Sequence, residues 1–319
     1  MKRQFSAAII VVFATLLAFS VSAQKEVSRV FKGIKSIRMN TASGNVKIAK
    51  STDATVAVNI THGYEEGVFE PILEQNGDRL ELREDYHARS VSGSSPRWTL
   101  TIPEEVEVRF KTGSGDIEAS NMKLRLDATT GSGNVAFRKV TGDISVTTGS
   151  GDFDLEEVDG IIDANTGSGT ARVTNSRGQL KISCGSGVIR ITDSQGEFRA
   201  STGSGDVIGR NVTLTGSSNF SSGSGDAQVV LAGALKYDIS VGSGSGNAEL
   251  NFNGNEIAGE IVMMANKTNG RIVAPFDFEK VEESNQWGDQ VTVKKTVVKG
   301  SGKQRVSVST GSGEATLKK

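Results

Sequence analysis

The sequence predicts an all-β protein, a parallel β-solenoid of 18-residue coils with two short strands per coil and Gly-Ser-Gly corners. Three observations carry that prediction. The first is a period. Thr112-Gly113-Ser114-Gly115-Asp116-Ile117 recurs so that the first glycine falls at 113, 131, 149, 167, 185 and 203, a constant step of 18 residues. The step then loosens to 20 at Gly223 and 21 at Gly244, and outlying copies stand at Thr41–Val46 and Thr310–Ala315. A fixed period of this length marks a stacked repeat architecture. The second is alternation. Five and three residues before each glycine, and four and six after it, every residue of the six regular copies is apolar except Gly209. The residues between them, such as Arg109, Asp127, Lys181, Asp154 and Arg172, are mostly polar. Period-two alternation describes half-buried strands rather than helices. The third is punctuation. Gly142, Gly160, Gly178 and Gly196 repeat at the same step and mark a second turn, where glycine permits backbone angles that side chains forbid. A chain that turns twice per unit returns to its own column, so successive coils pair about 4.8 Å apart and cover one another's apolar face.

In chain order, residues 1–23 read as a secretory signal peptide. Lys2 and Arg3 precede an apolar stretch from Ala7 to Phe19, and Val21-Ser22-Ala23 supplies small residues before Gln24. The stretch falls short of the roughly 20 apolar residues of a membrane-spanning helix. Residues 24–105 form an opening β region. Ile37, Met39, Val46 and Ile48 make a first coil, and Val56, Val58, Ile60, Leu80 and Leu82 continue in alternation. The serine-rich segment Glu84–Arg97 is expected to be an exposed loop, with Leu100 and Ile102 resuming the pattern before Pro103. The regular solenoid spans 106–253. Residues 254–319 are expected to hold irregular closing coils and a cap: the apolar run Ile261–Ala265, a shortened corner at Thr268-Asn269-Gly270, an irregular segment Pro275–Gln290, and closing strands at Val291–Val298 and Val306–Thr310. A charged final strand ending in Lys318-Lys319 is expected to discourage end-to-end pairing.

The recurring Thr-Gly-Ser-Gly-Asp/Asn corner, the Leu100-Thr101-Ile102-Pro103 step before the array, and Thr268-Asn269-Gly270 ahead of the final Thr310-Gly311-Ser312-Gly313 resemble the bacterial putative-adhesin domains of unknown function. These are exported β-solenoids related to the head domains of auto-transporter adhesins. The resemblance covers nearly the whole chain after residue 23. It implies a fold and an adhesin-like role, and it transfers no catalytic residue.

The side-chain chemistry points the same way. With 36 basic against 37 acidic residues the chain offers no polybasic surface, which argues against a nucleic-acid partner. The single cysteine, Cys184, excludes an internal disulfide. It occupies the column of Thr112, Thr130, Thr148, Thr166 and Thr202, so it is expected in the core rather than in a redox or metal site. The corner column Asp116, Asn134, Asp152, Thr170, Val188, Asp206 invites a calcium reading, strongest at Asp206 and Asp226. Asp and Asn also serve turns by bonding their own backbone, and that explains the column without an ion. His62 and His87 lack visible partners for a metal or catalytic cluster, and the corner serines lack a base. Arg109 with Asp127, Asp163 with Lys181, and Asp154 with Arg172 are expected as rung neighbours on outer faces. No outward aromatic stripe of the kind that holds polysaccharide runs along the coils. The expected protein has no catalytic, metal-binding or cofactor-binding residues. It is an exported, non-enzymatic protein of the periplasm, outer-membrane surface or extracellular space, acting on an unknown protein or glycan of the cell envelope. A polysaccharide-binding or polysaccharide-processing β-helix and a purely structural envelope component are the alternatives.

Overall fold

The computed structural model describes residues 24–87, 93–285 and 291–319, and its regular elements are all strands. The leader segment 1–23 lies outside the described residues. Among those described, no helix is long and apolar enough to cross a membrane. The strands hydrogen-bond into two long ladders. In one, Val135 pairs with Phe153, Phe153 with Ala171, Ala171 with Ile189, and Ile189 with Val207. In the other, Ile144 pairs with Ile162, Ile162 with Leu180, and Leu180 with Phe198. Every one of these pairs is parallel and in register. The inward columns of the two ladders meet in one core, where Phe110, Phe137, Phe153, Phe198 and Phe220 are fully buried. Each such side chain contributes about 1.5–3 kcal/mol of burial. A one-residue slip would move a strand's whole apolar set to solvent, so the pattern fixes the register.

The two bends of a coil have different physics. At Gly-Ser-Gly, the carbonyls of one coil press against the α-carbons of the next. A Cβ on Gly133 would lie 2.0 Å from the Gly115 carbonyl oxygen, and one on Gly151 2.0 Å from that of Gly133. Of the corner glycines between 113 and 205, only Gly187 and Gly205 have left-handed φ. Close approach, more than unusual backbone angles, therefore requires glycine there. The second bend is not centred on the glycines 142, 160, 178 and 196, contrary to expectation. It is centred three residues earlier, on Asn121, Lys139, Glu157, Asn175, Asp193 and Asn211, whose φ values all lie between 50° and 56°. Asn and Asp accept this conformation most readily, whereas Lys139 and Glu157 hold it because the stack imposes it. The glycines beyond the bend sit within strands, and three of them, Gly142, Gly160 and Gly178, have φ of 135°, 133° and 109°, as expected of glycine at these positions. A Cβ on Gly160 would meet the Gly142 carbonyl oxygen at 2.2 Å. In two coils the strand runs through the bend, as Ile117–Thr130 and Val135–Ser150, and later coils split into pairs such as Phe153–Glu156 and Asp159–Ser168.

The stack is not assembled in chain order. Ser36–Thr41 lies directly against Glu107–Thr112, placing Met39 on Phe110 and Thr41 on Thr112. Arg305–Thr310 lies against Ile239–Ser243, placing Thr310 on Ser243. The outlying corner copies are thus spatial neighbours of the array, and the chain between each of them and the array folds outward to close an end. At one end Thr55–His62 pairs antiparallel with both Lys25–Lys32 and Arg97–Ile102, and Phe69–Asn76 pairs antiparallel with Arg79–Tyr86. At the other, Val291–Lys299 pairs antiparallel with both Gly259–Asn266 and Lys280–Asn285.

Three expectations change as a result. Glu84–Arg97 is not a loop throughout. Glu84, Asp85 and Tyr86 are strand residues opposite Pro71, Glu70 and Phe69, Arg97 opens the next strand, and residues 88–92 lie outside the described residues. Pro275–Gln290 contains the strand Lys280–Asn285, while Trp287 lies outside the described residues. The charged last strand, Glu314–Lys318, is not an edge, because it is paired on both sides. Among the described residues the edges are Lys25–Lys32, Phe69–Asn76, Arg271–Val273 and Lys280–Asn285. Charged side chains and Pro71 blunt them, as exposed edges require.

Candidate functional site

The corner residues that could bear chemistry are bonded into the stack. From Thr130 onward the hydroxyl just before a Gly-Ser-Gly corner donates to the second-glycine carbonyl of the coil beneath, whereas those of Thr41 and Thr112, in the first two coils, are buried without a partner. Thr148 reaches Gly133 at 3.2 Å, Thr166 reaches Gly151 at 3.0 Å, and Thr202 reaches Gly187 at 2.9 Å. Ser222, Ser243 and Thr310 continue the series onto Gly205, Gly225 and Gly246. The corner Asp and Asn side chains do not bond their own turn. Each accepts from the backbone N–H at the same position of the next coil: Asn45 from Asp116, Asp116 from Asn134, Asn134 from Asp152, and Asp152 from Thr170, at 2.8–2.9 Å. A second run joins Asp206, Asp226, Asn247 and Glu314 in the same way. At Asp206 and Asp226, the strongest calcium candidates, one carboxylate oxygen is therefore engaged by backbone. Among the described residues no group of three or more His, Cys, Asp or Glu side chains converges. The sequence marked these columns by their period. It could not reveal that their bonds cross from coil to coil.

Cys184 is buried between Thr166 and Thr202, in the predicted column. Burial, and secondarily the Asp152 carboxylate, push its thiol up to about 11. His62 and His87 separate. His87 is exposed, with Nε2 3.6 Å from Glu70. His62 is buried in an aromatic cluster, edge-on to Phe69 at 4.7 Å and stacked with Tyr64, and its Nδ1 accepts the Tyr64 N–H. Burial holds its pKa below the usual histidine value, and Lys25 adds to the shift. Beside this cluster Glu84 closes the first corner. Its carboxylate accepts the Ala42 N–H at 2.6 Å and the Trp98 indole N–H at 3.0 Å, and Tyr86 Oη donates to it at 3.2 Å. Burial raises the Tyr86 phenol, the Glu84 carboxylate adding to the rise. Nothing local in the sequence announced this arrangement, because Glu84 serves a corner 42 residues away.

What the stack leaves free is its outward faces. On the ladder that contains Leu180, a trough of about 280 Å³ opens between Arg199 and Arg305, floored by the short side chains of Asn219 and Ser240 with Ser217 and Asp238 alongside. Beyond Arg199 a smaller hollow continues past Lys181 to Ile161, which is 55% exposed. Its charges are paired: Lys181 with Asp163 at 2.9 Å and Arg199 with Glu197 at 2.8 Å. The other two expected rung pairs lie side by side in register but partner differently. Arg109 contacts Glu107, Arg172 contacts Asp152, and Asp154 contacts Arg138. Exposed pairs of this kind contribute about 0–1 kcal/mol each.

Comparison with known proteins places this geometry in a family. A model of the Toastrack DUF4097 family matches residues 34–270. No curated protein sequence matches the chain. Among solved structures, it is similar to a putative adhesin from Bacteroides fragilis at 13% identity, covering 93% of this chain and 98% of that one with a TM-score of 0.38. A putative adhesin from Parabacteroides distasonis is 11% identical over 93% and 98% of the two chains, with a TM-score of 0.30. A putative cell adhesion protein from Clostridium sporogenes is 12% identical over 93% and 99%, with a TM-score of 0.21.

Proposed function

The chain belongs to the Toastrack DUF4097 family, and from that premise we propose that it is an exported, non-enzymatic interaction protein. In this reading one β-solenoid of 18-residue coils, with 24–105 and 254–319 as its capping regions, presents its outward faces to a protein or glycan of the cell envelope. The word adhesin comes from distant proteins and names the role without supporting it. Support comes from one observation. The corner hydroxyls, carboxylates and amides, repeated in almost every coil, are bonded to backbone of neighbouring coils. They serve the rod, so specificity belongs to outward side chains such as those around the Arg199–Arg305 trough. Residues 1–23 direct export in this reading, to the periplasm, the outer-membrane surface or the exterior.

The test is capture from envelope extract by the full chain. A variant carrying Asn219→Trp and Ser240→Arg, which fills the trough floor, serves as the comparison. The expected result is a discrete partner held by the wild-type protein and lost by the filled variant at unchanged melting temperature. Equal capture by both would remove the trough from the reading. Fractionation of cells expressing the full chain tests export, and uncleaved cytoplasmic protein would overturn it.

A further inference from the structure

We infer that the bend edge of three successive coils is a binding site for a pyranose ring of a neutral glycan. This deepens the interaction reading and rests on it. The inner column beside the bend reads Met122, Val140, Val158, Ser176, Ser194, Val212. Four of the six are buried apolar side chains, as a core column requires. Ser176 and Ser194 interrupt them, only 0% and 2% exposed. Their hydroxyls donate to the Thr174 and Thr192 carbonyls at 2.9 and 2.8 Å. They also accept the N–H groups of Val158 and Ser176. Both serines are thus satisfied, but each gives up the burial that a valine supplies one coil away. The loss falls where the edge opens into a groove of about 250 Å³, lined by Asn175, Arg177, Asp193, Gln195, Asn211 and Thr213 above the two serines.

The groove's chemistry selects its ligand. Amide, carboxylate and guanidinium groups are planar and carry paired polar atoms, so each can engage two neighbouring hydroxyls of one sugar ring. One carboxylate oxygen of Asp193 accepts from the Asn211 amide at 2.5 Å, which orients the group and leaves its second oxygen available as an acceptor. Among the described residues Arg177 makes no ion pair, so its guanidinium donors remain open to a ligand. One cation and one anion line the groove, and their charges balance. A polyanion that approached Arg177 would also meet Asp193, whereas an uncharged polyhydroxyl ligand meets donors and acceptors without a charge mismatch. The lining is also held in place. Arg177, Gln195 and Thr213 are consecutive rungs of a parallel ladder, and Asn175, Asp193 and Asn211 occupy the left-handed bend positions. A fixed backbone removes the loop-ordering cost of binding and leaves that of the side chains alone. No aromatic platform is needed when recognition runs through hydrogen bonds at the edge of the rod rather than stacking on its face.

Affinity electrophoresis of the full chain in gels containing dextran, mannan, laminarin or the polyanion alginate tests the inference. The expected result is retardation by at least one neutral polysaccharide. Asp193→Asn combined with Gln195→Ala should weaken it about tenfold, the loss of one charge-assisted hydrogen bond. An Arg29→Ala variant, on the exposed edge strand Lys25–Lys32, should be retarded like the wild type. Asn keeps the bend conformation at 193, and an unchanged melting temperature would confirm the variant is folded. Retardation by alginate alone, by none of the polymers, or equally in wild type and the Asp193 variant would overturn the site. If envelope capture persists while neutral polysaccharides leave the chain unretarded, the sugar site fails and the interaction reading stands.

Discussion

Replacing Cys184 measures the hydrogen bond that defines the corner column. Its rung neighbours, Thr166 and Thr202, each donate a hydroxyl to a glycine carbonyl of the coil beneath, at 3.0 and 2.9 Å. The corresponding carbonyl for position 184 is that of Gly169, which already lies under the Gly185-Ser186-Gly187 corner. Cys184→Thr keeps the side chain close in size and supplies the missing donor. A net gain of about 0.5–1.5 kcal/mol is typical of such a bond. The added volume in a packed column offsets part of it. The expected outcome is a stability change between zero and about +1 kcal/mol, a rise in melting temperature of up to about 3 °C for a chain of this size. Cys184→Val is the control, because valine has threonine's shape without its hydroxyl. Urea denaturation should place the threonine variant about 1 kcal/mol above the valine variant. If valine equals or exceeds threonine, the hydroxyl column contributes packing and not hydrogen bonding, and the reasoning fails. The thiol itself should label slowly in the folded protein and rapidly in urea, since it is buried and its pKa is pushed up to about 11.

Gly133→Ala should cost at least about 3 kcal/mol, because its Cβ would stand 2.0 Å from a backbone oxygen that cannot move without parting two coils. Gly233→Ala, with nothing within 4 Å, should change urea stability by no more than about 0.5 kcal/mol. His62 is held below its ordinary pKa, so the unfolded chain takes up its proton first as pH falls. Its contribution is complete above about pH 6.5 and is lost as pH falls from there through the lowered folded value. Urea midpoints at pH 5 and 7 should therefore differ more for the wild type than for His62→Phe, and an equal difference would put His62 outside the aromatic cluster. Chelation should move the melting temperature by less than about 5 °C, because Asp206 and Asp226 already spend an oxygen on the next coil; a larger shift would reveal an ion linked to folding.

The regular array was legible because two independent signals coincide there. An 18-residue glycine step and a period-two apolar pattern leave one register in which every inward column is buried. The parallel pairs from Val135 to Val207 follow that register. The second bend was legible as a turn, but its centre was placed three residues too late, because the glycines that announce it lie just beyond it and two of its six seats hold Lys139 and Glu157 rather than Asn, Asp or Gly. At the sugar groove the signal was present in the sequence as Ser176 and Ser194 in an apolar column. It gains meaning only once that column is known to face inward beside the bend.

The ends were hidden for a topological reason that also explains how the rod stops. A parallel coil repeats its own register and would template another coil at each exposed edge. Reversing direction breaks that repetition, and both ends reverse it: Thr55–His62 runs against its neighbours at one end, Val291–Lys299 at the other. Such a reversal needs a chain segment that leaves the array and returns. Each end therefore inserts its cap between the array and an outlying corner, which keeps its period-like sequence because it still stacks on the array. Periodicity reports which coils touch, and says nothing of chain order among them. The edges left after reversal are of like sign where coaxial ends would join the same ladder. Phe69–Asn76 carries Glu70 and Glu74 and would face Lys280–Asn285, where Glu282 and Glu283 outnumber Lys280. Lys25–Lys32, with three cations and one acid, would face Arg271. Like charges across a strand pair oppose it; on the ladder that ends in Phe69–Asn76, end-to-end addition also meets a reversed strand, whereas Lys25–Lys32 and Arg271–Val273 both run with the array and that junction is opposed by charge alone.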